Sequence, residues 1–135
     1  MLVWIGRELA LTIHDRQLGN HGGMPGVRDA ALLDSALSRP QQLEAYGDPP
    51  PDLVALAASL ATGLAPNHPF VDGNKRTAAV CCEVFLRLNG CWLTADDITL
   101  YPMYVGLADG SIGEAEFAEW LRAHVRPASR VQEQR

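Results

Sequence analysis

One stretch constrains the fold more than any other. From Leu53 to Ala65 the chain carries no charge, and Leu53, Leu56, Ala57, Leu60, Ala61 and Leu64 recur at the spacing of one helix face. Asp52 stands where a helix N-cap belongs, and Pro66 ends the pattern. Ser59, Thr62 and Gly63 are small, so neighbours can approach on several sides. The stretch is too short to span a bilayer. It reads as a buried scaffold helix around which the remaining elements pack.

Those elements also read as helices. Residues 4–18 suit one, with Ile5, Leu9 and Ile13 at steps of four, and Gly19-Asn20-His21-Gly22-Gly23 stops it. After a loop over Met24–Arg28, Asp29 caps a short helix holding Ala30, Leu33, Ala36 and Leu37, which Pro40 closes. Residues 41–51 form a loop ending in Pro49-Pro50-Pro51. A helix over Asn74–Leu88 presents Ala78, Cys81, Cys82, Phe85 and Leu88 on one face and stops at Asn89-Gly90. Thr94-x-x-Asp97 and Ser111-x-x-Glu114 have the capping-box spacing for two more helices. Pro102 interrupts the first of these; the second carries Phe117, Trp120, Leu121 and Val125 on one face. No run of alternating β-branched residues stands out, so the expected class is all-α. Residues 1–126 make a single domain, and the polar, unpatterned 127–135 reads as a flexible C-terminal tail.

Charge narrows the function. A net charge of −5 and a pI near 5.2 argue against a nucleic-acid binder working through a general basic field. They leave room for a local anion pocket. Cys81, Cys82 and Cys91 are odd in number and lack a metal-binding spacing, which fits core-filling thiols in a reducing compartment. Arg7 and Glu8 interrupt the N-terminal apolar residues too early for a signal peptide. The expectation is a soluble cytoplasmic protein with no direct nucleic-acid or membrane partner.

The chemistry is concentrated in His68-Pro69-Phe70-Val71-Asp72-Gly73-Asn74-Lys75-Arg76, between two core helices. Pro69 pushes His68 toward an extended backbone. Asp72 is positioned to cap a helix starting at Gly73 or Asn74. A helix start presents unpaired N–H groups and partial positive charge, so it attracts anions. Gly73 allows close approach to the backbone, and Lys75 and Arg76 add fixed charge suited to phosphate oxygens. Cations in a first helical turn oppose the helix dipole, a conflict that a bound anion removes. Asp72 can hold a Mg²⁺ shared with those phosphates. His68 is the natural general base. Phe70 anchors the loop in the core. The combination points to phosphoryl or nucleotidyl transfer to a hydroxyl.

This stretch resembles the signature of the Fic/Doc superfamily, His-x-Phe-x-Asp/Asn-Gly/Ala-Asn-Gly/Lys-Arg, and matches it at every specified position. Adenylyl-transferring Fic enzymes carry Gly where this chain has Lys75, whereas Doc toxins carry Lys and continue to Thr77 as here. At Gly73 the best-known Doc form has Ala and Fic enzymes have Gly. A second similarity lies in His14-Asp15, Gly22-Gly23, Gly26-Val27-Arg28-Asp29, Leu33, Ser35-Ala36-Leu37 and Arg39-Pro40, which look like the N-terminal half of Doc-type proteins.

The resemblance implies a compact helical fold with the active-site loop between two central helices. It implies a Doc-like toxin kinase that moves the γ-phosphate of ATP to a Ser or Thr hydroxyl. Carried onto this chain, His68 is the base and Asp72 the Mg²⁺ ligand. Gly73 and Asn74 line the anion hole, and Lys75 and Arg76 neutralise phosphate charge. The implied partners are a Phd-like antitoxin and, as target, translation elongation factor Tu. A target-positioning flap is expected near residues 41–51, with Tyr46 and Asp48 as candidates. Many Fic enzymes carry an inhibitory Ser/Thr-x-x-x-Glu-Gly/Asn motif; the nearest match here, Ser129 to Gln134, ends in Gln. Two rival readings are AMP transfer of the Fic type and a catalytically silent binding module. A third, a metal-dependent phosphohydrolase built on His14, Asp15 and His21, lacks enough separated ligands. His14 and Asp15 read instead as a hydrogen-bonding pair bracing the Gly-rich loop.

Overall fold

The computed structural model describes residues 1–128. Six helices follow in chain order: α1 (Arg7–His21), α2 (Ala30–Tyr46), α3 (Leu53–Leu64), α4 (Asn74–Leu88), α5 (Asp97–Asp109) and α6 (Glu114–His124). Two short strands, β1 (Cys91–Leu93) and β2 (Val125–Pro127), complete the set. The fold is all-α apart from that ribbon. No helix among the described residues is long and apolar enough to cross a membrane.

The uncharged stretch is the centre of the molecule, as its composition requires. Leu56, Ala57, Ala58, Leu60, Ala61 and Leu64 of α3 are all fully buried. α2, α4 and α6 pack around this helix. Gly63 explains how α2 comes so close, because a Cβ there would sit 3.0 Å from the Ala36 Cα. The Asp52 side chain accepts from Ala55 N at 2.8 Å, the expected cap, and also pairs with Arg122 of α6 at 2.9 Å. That guanidinium holds the Asp52 carboxyl below its ordinary pKa.

Several boundaries differ from the sequence reading. α1 starts at Arg7, after Gly6, and runs through Gly19 and Asn20 to His21. Trp4 and Ile5 precede the helix yet reach the core, with Trp4 stacked on Phe85 at 5.8 Å. Pro40 does not close α2 but lies inside it, so residues 41–46 are helical. An internal proline costs about 3 kcal/mol. Here its ring is buried and Leu43, one turn on, packs against the core. Burial of that kind returns roughly 1.5–3 kcal/mol per side chain.

Neither later capping box forms. Asp96 caps α5 by accepting from Thr99 N at 2.9 Å, while Thr94 Oγ1 donates to His124 O at 2.7 Å. α6 starts from Gly113 with no side-chain cap, and Pro102 sits inside a continuous α5.

The ribbon was not expected. β1 and β2 pair antiparallel, with Cys91 opposite Pro127, Trp92 opposite Arg126 and Leu93 opposite Val125. Ala128 N adds a bond to Gly90 O at 2.9 Å. The domain end placed at residue 126 therefore falls inside a strand. The rest of the expected tail, 129–135, lies outside the described residues, as does the Ser129–Gln134 comparison. All three cysteines are free, with Cys81 and Cys82 buried.

Candidate active site

The loop between α3 and α4 carries the motif, and three separate contacts hold it. The first is the segment after α1. Val27 and Phe70 form an antiparallel bridge. Val71 N donates to Gly26 O at 3.0 Å, and Arg28 N and Asp29 N donate to Pro69 O at 2.8 and 3.0 Å. The Arg28 side chain reaches further, donating through Nε to His68 O at 2.6 Å and through Nη2 to Asn67 O at 2.8 Å. Turning both carbonyls toward one guanidinium takes His68 to φ +50, the left-handed region, and not to the extended form its proline neighbour favours. Few non-glycine residues adopt that region, though His does so more than most.

The second contact is His14 on α1, which is buried. Its ring lies against Phe70 at 3.9 Å with an interplanar angle of 9°. Its Nε2 is 2.8 Å from Asp72 O; a carbonyl only accepts, so the proton sits on Nε2. His14 thus braces the motif loop directly. Asp15 is exposed and makes no hydrogen bond to it.

The third contact is Asn74. Its Oδ1 accepts from Phe70 N at 2.9 Å and its Nδ2 donates to Phe70 O at 3.0 Å. The same Nδ2 stands 3.4 Å from His68 Nδ1. That is a long contact in which only the amide can donate, so it favours Nδ1 as the acceptor. The Asn74 amide is therefore spent on clamping the loop.

Asp72 does not cap α4. Its Oδ2 accepts from Met24 N at 2.9 Å, and Oδ1 has no hydrogen-bond partner among the described residues. The N-cap is Gly73, at φ +76 and ψ +19, with no side-chain cap bond. The first bond of the helix is Thr77 N to Gly73 O at 2.9 Å. The N–H groups of Asn74, Lys75 and Arg76 are left without partners. Every other described helix has either an Asp cap or an acidic residue in its first turn. α4 has neither, and it carries two cations there.

This helix start opens on a cleft of about 300 Å³. Asp72, Gly73, Asn74, Lys75 and Arg76 line one wall. His21 and Tyr101 line the other side, with the Arg76 guanidinium 4.6 Å over the Tyr101 ring. Asp72 is the one carboxylate among the lining residues. Lys75 is the only lysine in the chain, and neither it nor Arg76 makes an ion pair among the described residues. An anion fits this donor set, since unpaired N–H groups and unpaired cations converge. A divalent cation fits the free oxygen of Asp72, because Mg²⁺ binds through one or two carboxylates plus phosphate and water.

Five of the six residues expected to form the site thus share one cleft. His68 does not line it; the residue is exposed, with its Nδ1 3.4 Å from the Asn74 amide nitrogen. Tyr46 borders a different cleft, with Arg39, Ser59 and Glu114. The segment beside the motif is residues 22–29, not 41–51. Arg28, Met24 and Tyr101 enter the site without having been singled out for a role. For Arg28 the signal was present, since it lies in Gly26-Val27-Arg28-Asp29, where the N-terminal resemblance was noted.

A sequence model of the Fic/DOC family matches residues 4–86. The chain belongs to the Fic/DOC family. Its likeness within that family is to Doc. It is 34% identical over 118 residues to a protein kinase doc of Escherichia phage P1, covering 87% of this chain and 92% of that one. It is 49% identical over 96 residues to a toxin Doc of Mycolicibacterium smegmatis, covering 71% and 72% respectively.

Proposed function

We propose that this protein is a Doc-like toxin kinase that transfers the γ-phosphate of ATP to a Ser or Thr hydroxyl of a protein target. The observation that carries the reading is the uncapped, acid-free start of α4, where Lys75 and Arg76 line a cleft of about 300 Å³. The names of the two relatives, a protein kinase and a toxin, agree with it.

In this reading the N–H groups of Asn74, Lys75 and Arg76 hold phosphate oxygens together with the Lys75 and Arg76 side chains. Asp72 holds Mg²⁺ through its free oxygen, and the ion supplies positive charge to the phosphates. His68 takes the proton of the target hydroxyl as that oxygen bonds to the γ-phosphorus and ADP leaves. The side chains of Arg28, His14 and Asn74 do no chemistry. They fix the loop that carries His68 and leads into the anion site.

Gly73 does not speak for AMP transfer. Its φ of +76 is a backbone requirement, and a side chain there costs roughly 1–2 kcal/mol. Lys75 bears on sub-class more directly, because it puts a fixed charge on the helix start. A cytoplasmic setting, a Phd-like antitoxin and elongation factor Tu as target follow from the same reading.

The test uses ATP labelled at the α- or the γ-phosphate, Mg²⁺, cell extract, and the protein or its His68→Ala variant. Transfer of γ-label alone, abolished in the variant, is expected. A general base is worth roughly 10²–10⁴-fold. Transfer of α-label would replace the kinase with a nucleotidyl transferase. No transfer of either label would leave a binding module.

A further inference from the structure

We propose that the Gly22-Gly23-Met24 turn is the positioning device of the Asp72 carboxylate, with the Met24 backbone N–H as its working group. This rests on the reading of Asp72 as the cation ligand and adds residues that the reading leaves without a role.

Asp72 is exposed and has no basic side chain paired to it among the described residues. Left alone, an exposed carboxylate turns freely about its side-chain bonds. Here Oδ2 is held by Met24 N at 2.9 Å, across 48 positions of sequence. A hydrogen bond to an ionised acceptor is stronger than a neutral one. The backbone on either side is pinned as well, with His14 Nε2 at 2.8 Å from Asp72 O and Val71 N at 3.0 Å from Gly26 O. One oxygen is thereby fixed, and the other is left without a hydrogen-bond partner among the described residues.

Gly23 is what lets the turn come so near. Its φ is +123, which L side chains rarely adopt. A Cβ there would lie 3.0 Å from Leu18 Cδ2 and 3.3 Å from Asp72 Cβ. The Leu18 side chain can give way, but the strained φ and the contact with Asp72 Cβ both push the turn and the carboxylate apart, which lengthens the Met24 bond. Outer-shell partners of a metal ligand are typically worth 10- to 100-fold in metal affinity.

The experiment measures Mn²⁺ binding by the whole protein with a non-hydrolysable ATP analogue, read as loss of the free-ion paramagnetic signal beyond that caused by the analogue alone. Met24→Pro deletes the N–H without adding a Cβ at position 23, and Gly23→Ala displaces it. Each is expected to weaken Mn²⁺ binding by about 10- to 100-fold. Met24→Leu keeps the donor and should bind as wild type does. Metal-free binding of the analogue should be unchanged in the two Met24 variants, which a general loosening of the fold would not leave intact.

Wild-type Mn²⁺ affinity in Met24→Pro, alongside loss of affinity in Asp72→Ala, would overturn the positioning role and leave the carboxylate reading standing. Unchanged affinity in Asp72→Ala would remove both. Amide exchange gives a second measurement that needs no variant of the turn. The Met24 N–H should be protected in wild type and exchange faster in Asp72→Ala; equal rates would refute the bond.

Discussion

Replacing Asn74 by Ala separates two roles that the sequence left merged. By resemblance, Asn74 lines an anion hole; in the structure its amide faces inward and is the sole partner of the Phe70 N–H and C=O among the described residues. Phe70 is 1% exposed, so water cannot replace that partner. Each orphaned backbone group costs about 1–3 kcal/mol, giving roughly 2–6 kcal/mol for the pair. That is a large share of a native stability of about 5–15 kcal/mol. In urea, where small domains lose about 1–3 kcal/mol per molar, the unfolding midpoint should fall by at least about 0.7 M. Lys75→Ala is the control. Its half-exposed side chain makes no hydrogen bond or ion pair among the described residues, so the stability of the variant should stay within about 0.5 kcal/mol of wild type, while its ATP affinity falls. An Asn74→Ala protein that unfolds with wild-type chemistry and midpoint would refute the clamp and return the amide to the anion.

Three further outcomes follow from the same geometry. Lys75 is the only lysine, so an amine-acylating reagent can modify only it and the N-terminal amine. ATP with Mg²⁺ should protect Lys75 and not the terminus, and equal labelling of both with and without ATP would place the nucleotide elsewhere. The Asp52–Arg122 pair should show in acid: Arg122 lowers the folded-state pKa of Asp52, so its contribution is present above the unfolded carboxylate value of about 3.9. That contribution is lost as pH falls through the lower folded value. The stability gap between wild type and Arg122→Leu should therefore be open at neutral pH and close below about pH 4; a gap constant with pH would contradict it. Burial pushes the Cys81 and Cys82 thiols up to about 12, whereas Cys91 is only half-buried. A thiol reagent at pH 8 should label Cys91 alone in the native protein, and rapid labelling of all three would contradict the packing of α4.

The legible parts of the fold were those decided locally. Asp52, the apolar face and Pro66 place α3 as observed, because cap, periodicity and breaker agree. Asn89-Gly90 ends α4 for the same reason, with Gly90 at φ +89. What stayed hidden depends on partners far away in sequence. Pro40 and Pro102 look like stops until the core that packs on the surrounding turns is known. Asp72 looks like a cap until Met24, from the turn after α1, takes its side chain and Gly73 takes the cap position. Thr94 is taken by His124 and leaves α5 to Asp96. The ribbon is three residues on each side, too short to show alternation, and its register depends on the end of α6. For the site, the motif supplied the chemistry-bearing residues. Their supports at His14 and Arg28 were visible as similarity, but their bonds to the loop were not.

The central claim is that phosphate is held at the open start of α4. The most direct measurement is an amide NMR titration of the protein with ATP and Mg²⁺. The account predicts that the Asn74, Lys75 and Arg76 N–H resonances move most, that free phosphate moves the same three, and that both responses fade in Lys75→Ala. Shifts centred instead on the Arg39–Tyr46 cleft, with those three amides unmoved, would contradict it.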